Sequence, residues 1–168
     1  MAGRDQFLNF FVLTKPSQAA ATTLSTADFN TGAGVATMLA WRIHKIEWYN
    51  EGSFSGAADG NAMEVGISTR KSLTVLPSLT DKGTIAVFRL VATVYGAGTG
   101  MTYVEYPKVQ DFLPPMLIAT PNISIYIDCT ADFAGMQSKT QFVRIGFTSQ
   151  KLTESAYREV FEPWNYAN

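Results

Sequence analysis

Only one histidine and one cysteine, His44 and Cys129, offer the side chains most often used in catalysis and zinc binding. A zinc or iron site needs several converging ligands, so one histidine and one cysteine nearly exclude the usual ligand sets. As a general base, His44 would also need a nucleophile and an orienting acid. Strict strand alternation places the nearest acid, Glu47, on the opposite face. The sequence therefore predicts no enzyme, no cofactor and no metal site.

Two further motifs have the composition of a ligand site, although each also has a simpler interpretation. Four carboxylates surround one loop, namely Glu47, Glu51, Asp59 and Glu64. They would suit calcium if the loop folds back, and otherwise they are solvated loop charges. The run GAGTG at residues 96–100 lacks the Lys-Ser/Thr of a phosphate-binding loop, and no helix is predicted after it. We interpret this run as a hairpin turn.

The composition indicates one domain that makes large contacts with other chains. The 168 residues are enough for one domain with a hydrophobic core. Charged residues make up only 16%, against roughly 25% in average domains. Such a chain has few polar groups to cover its surface, and burial against other chains would ease this problem. The net charge of −1 and the scattered Lys and Arg predict no sequence-specific nucleic-acid binding.

Apolar periodicity predicts eight strands, separated by loops rich in Gly, Pro and Asn. The predicted strands are residues 20–26, 38–50, 62–69, 84–95, 101–106, 116–120, 123–130 and 141–149. Residues 70–82 read as a long connection and residues 107–115 as irregular. Thr153 is placed to cap a short helix, with Glu154 in its first turn. Uneven loop lengths and the absence of βα alternation favour a jelly roll over an up-and-down barrel.

The stretch at residues 38–50 (MLAWRIHKIEWYN) holds two of the three tryptophans. Its apolar residues also fall at helical spacing, but aromatic and β-branched residues in its second half favour a strand. The apolar face of this strand changes along its length. We therefore expect Trp41 and Ile43 to lie in the core and Trp48 to lie near a loop or a subunit contact.

The predicted fold is an all-β, eight-stranded antiparallel jelly-roll sandwich with a short C-terminal helix. We expect an N-terminal arm at residues 1–19, the jelly-roll domain at 20–150, and the helix and tail at 151–168. Residues 7–13 are too short to span a bilayer, and they read as a docking arm or edge strand, a first core strand, or a membrane-facing anchor. The predicted subunit-interface residues are Phe7, Phe10, Phe11, Trp48, Trp164 and Tyr166.

With these features, the chain resembles a single jelly-roll capsid protein of a small icosahedral virus or tailless phage. The stretches that carry the resemblance are residues 40–48 (AWRIHKIEW), 65–70 (VGISTR) and 113–121 (LPPMLIATP). The resemblance implies two four-stranded sheets packed face to face. It also implies a structural virion protein, made in the host cell cytoplasm, that self-assembles into an icosahedral shell.

The partners implied by the resemblance are copies of the same chain in a large homo-oligomer, together with other virion proteins. The family often has a basic N-terminal arm that neutralises nucleic acid, and this chain departs from that pattern. Weak genome contact, an internal membrane, a separate protein or a charge-neutral inner wall all stay open. The alternative function is a β-sandwich binding module for carbohydrate or a host receptor. In that case Trp48, Tyr49 and Phe54 would stack on sugar rings.

Overall fold

The computed structural model describes residues 9–16, 24–50, 62–95, 100–105, 109–129 and 140–165. These residues form nine β-strands and one α-helix, so the all-β prediction with a C-terminal helix is confirmed, whereas the count of eight strands is wrong. In chain order the elements are β1 (Asn9–Pro16), β2 (Ser25–Asn30), β3 (Leu39–Asn50), β4 (Ala62–Ser68), β5 (Thr84–Tyr95), β6 (Gly100–Glu105), β7 (Val109–Ile118), β8 (Asn122–Cys129), β9 (Thr140–Lys151) and α1 (Glu154–Asn165).

The nine strands of the described chain form two antiparallel sheets. The strand order is β1-β9-β3-β7 in the first, called sheet A, and β2-β8-β4-β5-β6 in the second, called sheet B. Four pairings are nested in the sequence: β1 with β9, β2 with β8, β3 with β7, and β4 with β5. Contacts of β3 with β9 and of β4 with β8 join these pairs within each sheet. Strand β6 extends sheet B beyond β5.

One hydrophobic core lies between the two sheets, because alternate side chains of the strands whose side chains are described point inward. In β4, Met63, Val65 and Ile67 are fully buried, as their alternation in the sequence predicts. Aromatic rings link the sheets: Trp48 of sheet A lies against Phe88 of sheet B, with ring centroids 6.1 Å apart. The shared core makes the fold a sandwich.

Strand β3 contains a β-bulge at His44. Ile43 pairs with Phe147 of β9, and Lys45 pairs with the adjacent residue, Gly146. His44 is therefore an extra residue on β3 with no counterpart on β9. An extra residue of this kind shifts the alternation of inward and outward side chains by one position.

The bulge corrects the prediction that Trp48 lies at a subunit contact. Before the bulge, the odd-numbered Trp41 and Ile43 face the core, and after it the even-numbered Ile46 and Trp48 do so. Trp48 is 1% exposed within the single chain. The apolar residues of β3 do change from odd to even positions, as predicted. Because the bulge shifts the alternation, both sets nevertheless point to the same buried face of the sheet.

The edges of sheet A are β1, which the sequence treats as an arm, and β7, of which the sequence predicts only residues 116–118 as strand. Strand β1, for which the structure describes the backbone alone, pairs with β9 along its whole length. Residues 9–16 of the predicted arm are thus an edge strand of the chain's own sandwich, and the domain boundary at residue 19 stays a prediction. Strand β7 contains Pro114 and Pro115. An edge strand accommodates proline because its outer N–H groups have no ladder partner.

The connection between β4 and β5, residues 69–83, lies across the outer face of sheet B, and we call it the strap. Pro77 packs closely on Gly66, where an added Cβ would lie 2.5 Å from Pro77 Cγ. The Tyr126 hydroxyl donates a hydrogen bond to the Arg70 carbonyl at 2.7 Å and accepts one from the Leu73 amide at 3.3 Å. These contacts fix a segment that the sequence predicts only as a long connection.

Helix α1 covers part of the outer face of sheet A. The Thr153 hydroxyl accepts a hydrogen bond from the Ala156 amide at 3.3 Å, which matches the predicted N-cap. The Tyr157 hydroxyl donates to the Ala119 carbonyl at 2.7 Å. Tyr157 also packs with Ala40 and Ala119 in a second buried cluster. The helix therefore lies over sheet A at Ala40 and Ala119.

Candidate functional site

His44 and Glu47 lie on the same outer face of sheet A, so the expectation that they face opposite ways is wrong. The bulge at His44 is the physical reason. His44 Nε2 lies 3.0 Å from Thr148 Oγ1, whereas Glu47 binds Lys45 and Tyr49. The imidazole and the carboxylate thus engage different partners and do not form an acid–base pair.

Within the described part of the chain, no three His, Cys, Asp or Glu side chains come together as a metal site. Of the four carboxylates considered for calcium, Glu51 and Asp59 lie outside the described residues. Glu47 belongs to sheet A, whereas Glu64 belongs to sheet B and its Oε1 lies 3.0 Å from Arg89 Nε. The two described carboxylates therefore bind cationic side chains on separate sheets.

A charged cluster centred on Glu47 occupies the outer face of sheet A. Lys45 Nζ forms an ion pair with Glu47 Oε1, and Arg144 Nη1 lies 3.6 Å from Oε2. The Tyr49 hydroxyl donates to Oε2 at 3.0 Å. The Arg144 guanidinium also lies over the Tyr49 ring, 5.5 Å from its centroid. Each member of the cluster is therefore held by at least one other.

The register of β3 and β9 explains why these residues meet. Glu47 pairs directly with Arg144, and Tyr49 pairs with Phe142. The intervening residues of β9 point into the core, so its even-numbered residues face outward. We call the resulting surface the β3–β9 outer face. Its described members are Arg42, His44, Lys45, Glu47, Tyr49, Phe142, Arg144 and Thr148.

The electrostatics of this surface favour an ionised Glu47. Its hydrogen bond with Lys45 lowers the pKa of the Glu47 carboxyl below the ordinary value of 4.5, and the hydroxyl of Tyr49 and the charge of Arg144 act in the same direction. Burial acts in the opposite direction. The same hydrogen bond raises the pKa of the Lys45 ammonium. The cluster is thus charged throughout the neutral pH range.

We expect the Glu47 cluster to make the protein less stable in acid. A carboxyl with a depressed folded-state pKa contributes stability above its unfolded pKa, and that contribution is lost as the pH falls through the folded value. The loss therefore falls below pH 4.5. Glu47→Gln removes both ion pairs and should lower the free energy of unfolding by about 1 kcal/mol at neutral pH. The loss stays this small because Lys45 and Arg144 can rehydrate.

Urea unfolding at a series of pH values measures this effect. The stability difference between the wild type and Glu47→Gln should shrink as the pH falls below 4.5. Glu159→Gln, at an exposed position on α1, controls for the change in net charge alone. An equal pH response of the two variants would contradict the role of the cluster.

Two surface depressions lie near α1. A groove of about 570 Å³ is lined by Glu154, Ser155, Arg158 and Glu159. It is open to solvent, and Arg158 Nη2 already binds Glu154 Oε1 at 2.6 Å. A second cleft, of about 370 Å³, lies among the loops after β2, β4 and β7, beside Phe161. Neither has the enclosed apolar walls that small-molecule sites usually have.

Five of the six predicted interface residues have side chains that the structure does not describe; the sixth is the buried tryptophan of β3. Phe7 and Tyr166 lie outside the described residues. Phe10 and Phe11 belong to β1, where they pair with Gly146 and Ile145, and Trp164 belongs to α1. Their role in subunit contacts stays a prediction.

The structure exposes large apolar side chains that the sequence analysis did not select. Leu113 on β7 is 93% exposed, and Leu79 on the strap is 73% exposed. Val35 and Val75 are also exposed. The only sequence signal for them is an apolar residue inside a stretch read as a loop, and that signal does not tell a buried loop residue from an exposed one.

Comparison with protein-family models and with curated protein sequences finds no match. Across the described ranges, no helix has both the length and the apolar character needed to span a membrane.

Proposed function

We propose that the chain is a jelly-roll coat protein that self-assembles into the icosahedral shell of a virion. The nested pairing of the strands carries this proposal. Without the added β6, the strands pair first with last, second with second-last, and so on inward. A long antiparallel hairpin wrapped around a core has this order, and it is the jelly-roll arrangement found in viral capsid domains.

The surface supports association between copies. Leu113 on β7 and Leu79 on the strap expose most of their side chains. Only 16% of the residues are charged, so the chain has few polar groups to place at its surface. Exposed apolar side chains favour association, because burying them between subunits removes apolar surface from water. Each contact in such a shell would bury roughly 1,600 Å² in total.

The proposal gives the chain a structural role in the virion, after synthesis in the host cell cytoplasm, with copies of itself as its main partner. The absence of an enzymatic role rests on the single histidine and single cysteine of the sequence. The alternative, a carbohydrate-binding or receptor-binding module, has less support. Of its three proposed stacking residues, Trp48 is buried, Phe54 lies outside the described residues, and Tyr49 has a ring face against Arg144.

Electron microscopy and light scattering of the purified chain test the proposal. The wild type should form closed particles, and Leu113→Asp should reduce the assembled fraction at least about tenfold, because it places a charge in an apolar contact. Leu113→Met keeps an apolar side chain of similar volume and should assemble normally. A wild type that stays monomeric at every concentration and salt condition would overturn the coat-protein proposal.

A further inference from the structure

Strand β7 carries a large bulge at the edge of sheet A. Ile43 of β3 pairs with Met116, and Lys45 pairs with Asp111. Between these two pairs β3 has one residue, His44, whereas β7 has residues 112–115. The surplus residues cannot all follow the ladder, and the edge position of β7 lets them project away from the sheet. The bulge therefore places part of residues 112–115 outside the regular sheet.

The bulge presents a leucine on a stiff backbone. Phe112 and Met116, at its two ends, pack against the core between the sheets. Leu113 is 93% exposed, and Pro114 beside it is exposed as well. The rings of Pro114 and Pro115 fix two backbone φ angles. We call Leu113 and Pro114 the β7 knob, an apolar projection whose backbone has little conformational freedom to lose on binding.

The two prolines also decide how this edge can contact another chain. An exposed edge strand can add a strand from a second molecule, which requires a row of backbone donors and acceptors. Pro114 and Pro115 have no N–H, and the bulge bends the strand, so β7 is a poor template for such pairing. A contact at this edge therefore uses the projecting side chains.

The second cleft described above, which we call the Phe161 cleft, has walls that are joined to one another. The Thr31 amide donates a hydrogen bond to the Pro121 carbonyl at 2.9 Å, and the Thr31 hydroxyl donates one to the Thr120 carbonyl at 2.7 Å. These bonds tie the loop between β2 and β3 to the turn between β7 and β8, and both segments line the cleft. The cleft is therefore already formed in the single chain.

The Phe161 cleft and the β7 knob match in size and in charge. The cleft volume of about 370 Å³ is near the lower end of the range of roughly 300–1,000 Å³ that holds drug-sized molecules, so one or two side chains would fill it. Val35, which is 59% exposed, and the half-buried Phe161 supply apolar walls. The exposed Lys71 lines the cleft, and the exposed Asp111 lies two residues before Leu113. An apolar projection beside a carboxylate thus complements an apolar cleft beside an ammonium group.

The β7 knob does not fill the cleft of its own chain, because Leu113 is 93% exposed. The bulge lies opposite His44, whereas Ile118, at the end of β7, pairs with Trp41. About 10 Å of strand therefore separates the bulge from the turn that lines the cleft. A second copy of the chain can bring its knob to the cleft without this restriction.

We infer that the β7 knob of one subunit inserts into the Phe161 cleft of the next copy. The two surfaces differ, so the contact is heterologous, and each subunit offers one knob and one cleft. Repeated contacts of this kind form a closed ring when the rotation between neighbours closes, and an open filament when it does not. The inference specifies a subunit contact for the proposed coat protein and rests on that proposal for the shell setting only.

A mixing experiment tests the inference. Leu113→Asp places a charge on the knob and leaves the cleft intact, whereas Val35→Asp places a charge in the cleft and leaves the knob intact. Each variant alone should associate at least about tenfold more weakly than the wild type. An equimolar mixture should form a dimer of one chain of each kind and grow no further, because only one pairing joins an intact knob to an intact cleft. Sedimentation velocity measures the species, and circular dichroism checks that both variants are folded.

Val75→Asp is the matched control, because Val75 is an exposed valine of the strap that does not line the Phe161 cleft. This variant should associate as the wild type does. Three results would overturn the inference: no dimer in the mixture, association of either Leu113→Asp or Val35→Asp alone at wild-type strength, or an equal loss of association in Val75→Asp.

Particle imaging separates this inference from the proposed function. Closed wild-type particles without a dimer in the mixture reject the knob-in-cleft contact alone. A dimer in the mixture, with wild-type filaments or small rings in place of closed particles, supports the contact and rejects the icosahedral shell. A wild type that stays monomeric rejects both.

Discussion

Replacing Trp48 by alanine is expected to lower the free energy of unfolding by about 3–5 kcal/mol. The indole is 1% exposed and packs against Phe88 of the opposite sheet, so its removal leaves a large cavity between the sheets. Urea unfolding followed by far-ultraviolet circular dichroism measures the loss.

Two comparison variants make the Trp48 result specific. Trp41→Ala should cost a similar amount, because Trp41 is also buried and stacks on Phe147 with centroids 3.6 Å apart. Leu79→Ala, at an exposed strap position, should change stability by no more than about 0.5 kcal/mol. If Trp48→Ala left folding intact and affected only assembly, the bulge at His44 and the burial that follows from it would be wrong.

Replacing Gly66 by alanine is expected to lower the free energy of unfolding by about 1–3 kcal/mol, the usual cost of overpacking. The new Cβ would lie 2.5 Å from Pro77 Cγ and 2.7 Å from Pro77 Cδ. Both are ring atoms without rotatable freedom, so the strap must move away from sheet B. Thermal or urea unfolding measures the change.

A double-mutant cycle with Pro77→Ala tests the origin of the Gly66 effect. Pro77→Ala removes both clashing atoms, and the next contact, Leu76 Cγ, lies at an ordinary 3.4 Å. Gly66→Ala should therefore cost much less in the Pro77→Ala background. Gly34→Ala, where an added Cβ meets only Thr37 Oγ1 at 4.0 Å, serves as the control glycine. Strictly additive effects at residues 66 and 77 would contradict the packing of the strap on the sheet.

The sequence predicts the strands that have one simple pattern. Strand β4 alternates apolar and small or polar residues, and β5 is apolar on both faces. The bounds of β5 agree with the prediction and those of β4 differ by one residue, because local periodicity follows directly from which face is buried. The N-cap at Thr153 is equally local. These features need no knowledge of distant contacts.

Features that depend on partner strands were missed. The predicted strand at 116–120 covers only the end of β7, because the two prolines make residues 109–115 look irregular and only an edge position accommodates them. The bulge at His44 is visible only when β3 is set beside β9, and without it Trp48 appears to face outward. The strap is fixed by Tyr126 and Gly66, which lie on two other strands. Pairing information of this kind is absent from a linear pattern.

The candidate site shows the same limit. The sequence shows Arg144 and Tyr49 as residues nearly 100 positions apart in an unremarkable charge distribution, with a net charge near zero. Only the antiparallel register of β3 and β9 brings them together on one surface. Composition therefore gives no sign of the Glu47 cluster, which appears only in the fold.

The pairing of the first strand with the last constrains how the protein is made. Asn9 lies opposite Phe147, so the ribosome must synthesise nearly the whole chain before sheet A can close. Until then β9 is missing from between β1 and β3, and the edges of β1 and β3 that pair with it have unpaired backbone groups. Pairings so distant in sequence form slowly, and strand edges that are still unpaired can associate with neighbouring nascent chains. The closing of sheet A therefore follows the synthesis of β9.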